Sequence, residues 1–179
     1  MHKLDQSRRE DNRIDAASLQ IRLAKADDIP TITEIFNHAI EHTTASFFTE
    51  PRTVEQQTAW FQEHGNRFPV LVAESNAKVV GWGSLDRWSP RQGYRITGEV
   101  SFYVHPEFHR RGIGRKLVES LIEQARQNEF VSVIAKISGG NMASIKLVKS
   151  LGFCEAGRLV DVGQKFGTRL DVLYFQRQL

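Results

Sequence analysis

A chain of 179 residues, 40% of them hydrophobic, can build one packed core, and it contains no apolar run long enough to cross a membrane. The net charge of +3 is scattered rather than blocked, which argues against nucleic acid as the partner. The single cysteine, Cys154, excludes an internal disulfide, and residues 1–13 are charged with no apolar signal core, so a cytoplasmic protein is expected.

Residues 1–19 are polar and weakly periodic, and are read as an extension outside a domain spanning 20–179. Residues 20–24 alternate as a first strand. Asp27 and Asp28 then offer a helix N-cap, with Pro30 in the first turn. Ile29, Ile32, Ile35, Phe36, Ala39 and Ile40 recur every 3.6 residues, which predicts an amphipathic helix. Thr53 and Gln56 form a capping box for a second helix reaching about residue 64. Residues 70–74 and 78–85 predict two strands joined by a tight turn. A loop with Pro90 and Gly93 follows. Val100, Phe102 and Val104 alternate with Ser101 and Tyr103, so 99–104 is a strand that Pro106 ends. Helices are predicted over 112–128 and 141–151, a buried strand over 131–137, and closing strands over 154–160 and 170–176. This order describes an α/β domain, a mixed sheet of about seven strands flanked by helices.

The most informative stretch is Val104-His105-Pro106-Glu107-Phe108-His109-Arg110-Arg111-Gly112-Ile113-Gly114-Arg115. A strand ends, a basic glycine loop follows, and a helix opens from it. Such a junction presents unpaired N–H groups and the positive end of a helix dipole, which suits a pyrophosphate. A dinucleotide fingerprint would need glycine at position 117, which is Leu117, and a Walker loop would need Gly-Lys-Ser/Thr. The remaining alternative is a plain helix start with surface arginines.

The stretch resembles the coenzyme A loop of the GNAT superfamily of N-acetyltransferases, with His109 where the family carries Gln or Arg. The resemblance covers residues 20–179 and is nearest the phosphinothricin and methionine sulfoximine acetyltransferase subgroup. It rests on Phe47-x-Thr49-Glu50-Pro51, Trp88 with Tyr94 and Thr97-x-Glu99, Tyr103-Val104-His105-Pro106, Asn141-x-x-Ser144-Ile145, Leu151-Gly152-Phe153, and Gly163-x-Lys165-Phe166-Gly167-x-x-x-Asp171.

The resemblance implies a mostly antiparallel sheet, acetyl-CoA as co-substrate, no metal, and a small amino-acid-like amine as substrate. It implies Glu99 as the general base, taking a proton through water. Phe102, Tyr103 and Val104 would lend backbone groups to the pantetheine arm, with an oxyanion donor at 103 or 104. Arg110, Arg111, Gly112, Ile113, Gly114 and Arg115 would hold the pyrophosphate. Asn141 is either a pantetheine or substrate contact or an ordinary N-cap. Arg91, Tyr94, Phe47, Trp88 and Lys165 are the substrate-pocket candidates, and a homodimer is implied, with Lys165 acting across the interface. Many members carry Tyr or His as a proton donor seven residues after the Asn. Here the position is Val148, which leaves Tyr103 as a distant second candidate acid. A thiol near pKa 8.5 can leave as thiolate without one.

Trp60 and Trp82 are expected in the core. Cys154 is expected there too, as a packing residue rather than a nucleophile. His38 and His42 lack a Glu-x-x-His context for zinc. Two other functions compete. One is acetylation of a protein N-terminus or a polyamine, which the arginines near Glu99 disfavour for a cationic substrate. The other is a non-catalytic acyl-CoA-binding module, which Val148 and His109 keep open.

Overall fold

The computed structural model describes residues 19–179. The extension read over 1–19 therefore lies almost wholly outside the described residues, and Leu19 itself packs against the core. Seven strands form one sheet: β1 (Gln20–Leu23), β2 (Val70–Ser75), β3 (Lys78–Arg87), β4 (Thr97–Val104), β5 (Ser132–Ser138), β6 (Cys154–Lys165) and β7 (Thr168–Gln178). Four helices flank it: α1 (Ile29–His42), α2 (Val54–Gln62), α3 (Ile113–Gln127) and α4 (Met142–Ser150). The sheet order is β1-β2-β3-β4-β5-β7-β6. Every adjacent pair is antiparallel except β4–β5, in line with the mostly antiparallel sheet that the resemblance implies.

The two faces of the sheet bury separate cores. On one face Leu117, Leu121 and Ile122 of α3 pack on Leu85, Val100, Val133 and Ala135. On the other, Ile32, Ile35 and Phe36 of α1 pack on Val72 and Trp82, with Trp60 of α2 against them. The capping box of α2 forms in both directions: Gln56 N–H donates to Thr53 Oγ1 at 3.2 Å, and Thr53 N–H to Gln56 Oε1 at 3.0 Å.

Four expectations change. Asp28 does not cap α1 with its side chain, although its carboxylate accepts the Lys25 N–H at 2.7 Å at the start of the preceding 3-10 turn. Its carboxylate takes the Arg22 guanidinium at 2.7 and 2.9 Å instead, a bidentate charge pair stronger than a neutral cap. Strand β3 continues to Arg87. Strands β6 and β7 run well beyond 154–160 and 170–176, because their hydrogen bonds continue where no core covers the hairpin. Cys154 is exposed rather than packed. Phe153 is buried in the core at 3% exposure, while Cys154 opens β6, whose residues 154–162 are exposed on both faces.

Candidate active site

The site begins where two strands part. The parallel pairing of β4 with β5 covers Thr97↔Ser132, Gly98↔Val133 and Glu99↔Ile134, then stops. Beyond Glu99 the strands splay, and a gap lined by Ser101, Phe102, Tyr103, Lys136, Ser138 and Asn141 opens between them. The gap leads into a cleft of about 910 Å³ that ends on the start of α3.

Strand geometry decides which groups face this gap. The N–H of His105 donates to Val80 O of β3 at 2.9 Å, so odd-numbered residues of β4 direct their backbone groups to β3. Val100, Phe102 and Val104 direct theirs to the gap. Val104 O accordingly accepts from His109 Nε2 at 2.9 Å. The expected oxyanion donor at position 103 is therefore corrected: Tyr103 N–H serves the sheet, and 102 and 104 are the gap-facing positions. Side chains divide the other way. Phe102 lies against α3, while Glu99, Ser101 and Tyr103 share the α1 face.

The glycine loop has the geometry a phosphate cradle needs. Arg110 (φ 61°) and Gly112 (φ 78°) are both left-handed, which folds the chain sharply into α3. Lys116 N–H donates to Gly112 O at 3.1 Å as the first intrahelical bond. Helix geometry leaves the N–H groups of residues 112–115 without intrahelical partners, at the positive end of the dipole. A Cβ on Gly114 would sit 3.3 Å from Leu147 Cδ1, so α4 packs closely there. Two of the arginine side chains have partners within the chain. Arg115 is tied to Glu119 at 3.1 Å and to Ser150 Oγ at 2.7 Å, and Arg111 donates to Glu107 O at 3.0 Å.

Of the two roles foreseen for Asn141, the N-cap is the one observed. Its Oδ1 accepts from Ser144 N–H at 3.1 Å as the N-cap of α4, and the residue also lines the gap and the cleft. Val148 is fully buried and supplies no proton donor.

Glu99 stands at the apex of the gap rather than at the mouth of the glycine loop. Lys136, which sequence reasoning missed, places Nζ 2.9 Å from Glu99 Oε1. Burial is the largest influence on the Glu99 carboxyl and raises its pKa above the ordinary value. The Lys136 ammonium opposes this, and the charge of Asp86 adds to it. Tyr103 is a poor acid here: burial, then the charges of Asp86 and Glu99, push its phenol well above the usual value, against a hydrogen bond with Ser46.

The substrate-pocket candidates fall into two groups. Trp88 lies near Glu99, its ring 5.7 Å from Lys136 Nζ and 6.0 Å from the ring of Tyr174. Phe47 packs against Gly163, and Lys165 donates to Ser46 O at 2.7 Å, beside Tyr103. Lys165 is 4% exposed and serves its own chain, which corrects the idea that it reaches across an interface. Arg91 and Tyr94 are apart from these, exposed on the turn before β4. Among the described residues no cluster of His, Cys, Asp or Glu suits a metal, and no helix is long and apolar enough to cross a membrane.

The acetyltransferase (GNAT) family model matches residues 33–153. The chain is 40% identical over 162 residues to an L-methionine sulfoximine/L-methionine sulfone acetyltransferase of Salmonella typhimurium, covering 90% of this chain and 95% of that one. It is 35% identical to a phosphinothricin N-acetyltransferase of Alcaligenes faecalis, over 89% and 82% of the two chains. A solved acetyltransferase from Salmonella typhimurium with acetyl-CoA superposes with a TM-score of 0.88 at 40% identity, over 90% and 94% of the two chains. A splayed β4–β5 pair opening onto a glycine-started helix, matched by these likenesses, places the chain in the GNAT acetyltransferase family.

Proposed function

We propose that the chain moves an acetyl group from acetyl-CoA to the primary amine of a small amino-acid-like substrate of the methionine sulfoximine, methionine sulfone or phosphinothricin type. One observation carries this reading. The gap that opens where β4–β5 pairing ends at Glu99 shares Phe102, Tyr103, Asn141 and Ser144 with a cleft that reaches the start of α3. A strand edge with free amides suits the pantetheine arm, in the manner of an added strand. The helix N-terminus suits a diphosphate.

The residues divide the work. Glu99, ionised, removes a proton from the substrate ammonium through water. About a tenth of an α-amino group near pKa 8 is already neutral at pH 7, so the base needs to do little. The amine nitrogen bonds to the acetyl carbon and the carbonyl oxygen takes up charge; the carbonyl then re-forms as the C–S bond breaks, and the extra proton on nitrogen passes to the departing thiolate. Gap-facing N–H groups at Phe102 and Val104 stabilise the oxyanion. Asn141 steadies the bound arm, and Gly112, Ile113, Gly114 and Arg115 hold the diphosphate. Arg110 and Arg111 add positive field. Arg91 pairs with the substrate carboxylate or phosphinate, Trp88 and Phe47 wall the pocket, and Tyr94 closes it. Lys165 braces residue 46 and adds a positive charge.

The enzyme works in the cytoplasm as a homodimer. The surface suited to dimer formation is the β6 edge, where Leu159, Val160, Val162 and Phe166 are exposed.

A thiol-release assay with a panel of amines tests the reading. Turnover is expected on methionine sulfoximine, methionine sulfone or phosphinothricin, and Glu99→Gln is expected to lower it by about 10²-fold at neutral pH. Acetyl-CoA affinity, measured by calorimetry, should hold. Tight binding of acetyl-CoA without turnover on any amine would point instead to a non-catalytic module.

A further inference from the structure

Opposite Glu99 stands a group that the mechanism has not used. Asp86 of β3 faces Glu99 in the β3–β4 register, on the same side of the sheet. An unbalanced carboxylate there would oppose ionisation of Glu99. It is not unbalanced, because His64, just beyond α2, is bound to it.

The ring of His64 lies between two acceptors. Its Nδ1 is 2.9 Å from Trp60 O, and its Nε2 is 2.9 Å from Asp86 Oδ1. Both partners are acceptors, an arrangement that the doubly protonated ring satisfies and that favours the imidazolium over the neutral ring. The ring is 9% exposed and packs on the Trp60 indole with centroids 4.3 Å apart. The second Asp86 oxygen accepts from the Ser84 hydroxyl.

We propose that the Ser84–Asp86–His64 array sets the charge felt by Glu99, with protonated His64 as the counter-charge to Asp86 and Ser84 as the anchor of the carboxylate. These are positioning residues, acting through Glu99. The inference rests on the reading of Glu99 as the base.

The other charged and titratable groups are accounted for. Glu99 is met by Lys136 from β5, Asp86 from β3 and the Tyr103 phenol from its own strand. For His64, burial favours the neutral ring. The bond to Asp86, the Trp60 carbonyl and the charges of Asp86 and Glu63 outweigh it, and its pKa is raised.

The two ends of the pair make opposite predictions. In His64→Gln, Asp86 loses its counter-charge, and the acidic limb of kcat/KM moves up by roughly half to one pH unit. In Asp86→Asn the opposing carboxylate is gone, and the limb moves down by a similar amount. A purely structural role would lower activity in both without moving the limb, or would move both the same way. Either result overturns the proposal. Carbon-13 NMR titration of the Glu99 carboxyl in the same variants reads the coupling without using activity, and an unmoved midpoint in both overturns it again. If the NMR midpoints split as expected but Glu99→Gln keeps the wild-type limb, the array still tunes Glu99, and it is the assignment of Glu99 as base that falls.

Discussion

Replacing Lys136 with Met removes the nearest cation from Glu99 while keeping the length of the side chain. At 2.9 Å the bare attraction is large; with an effective dielectric of 20, it would approach ~6 kcal/mol. Lys136 is 41% exposed, so water screens most of that. A surviving coupling of about 1 kcal/mol is the realistic scale for such a pair, equivalent to ~0.7 pH unit. The sign is fixed by the chemistry. The ammonium favours the ionised carboxylate, so its loss raises the Glu99 pKa further, and the base becomes protonated at a higher pH. The acidic limb of kcat/KM should move up by about 0.7 unit, with turnover reduced several-fold on that limb and nearly normal on the alkaline side. Steady-state thiol release from pH 5 to 9 reads it. A uniform loss at every pH would show that Lys136 holds the substrate instead, and an unmoved limb would refute the ion-pair argument.

Arg91→Ala is expected to raise KM for amino-acid substrates with kcat largely kept; equal KM values across a substrate panel would remove the anion-pairing role. Stability should also depend on pH through His64. Its folded pKa is raised above the unfolded value, so the stabilisation is complete below about pH 6.5 and is lost as pH rises through the folded value. The difference in Tm between wild type and His64→Gln should therefore shrink from pH 6 toward alkaline pH; a gap that stays constant or widens would contradict the charged ring.

What the sequence disclosed was what is local. The glycine loop is contiguous, and its meaning lies in a strand end meeting a helix start. The α2 capping box spans four residues, and the α1 face repeats along one helix. Glu99 was legible only as part of an ordered set of motifs, because one strand glutamate has no signature. Lys136, Asp86 and His64 were not legible, for a common reason. They reach Glu99 through strand register and helix docking, and register is set by pairing between distant segments. The long β6–β7 hairpin was under-read because periodicity signals a buried face, and most of β6 has none. Cys154 follows the buried Leu151 and Phe153 but opens the part of β6 that no core covers, so its exposure is not legible from its neighbours.

The gap also makes a residue-by-residue prediction about backbone protection. On β4, the amides of Ser101 and Tyr103 are directed into the ladder with β3, while those of Phe102 and Val104 face the gap. An unpaired strand edge is a standing invitation to another extended chain. If the pantetheine arm of acetyl-CoA pairs with that edge, binding should slow hydrogen exchange at 102 and 104. The amides at 101 and 103, already bonded, should change little beyond the general stabilisation that any ligand confers, about 2.7 kcal/mol at a hundredfold excess over Kd. Amide exchange followed by NMR with and without coenzyme A distinguishes these positions one by one. Equal protection along all four amides would mean that the ligand merely stiffens the fold. No change at 102 or 104 would mean that the arm passes elsewhere, and the chemistry assigned to the apex at Glu99 would lose its geometric basis.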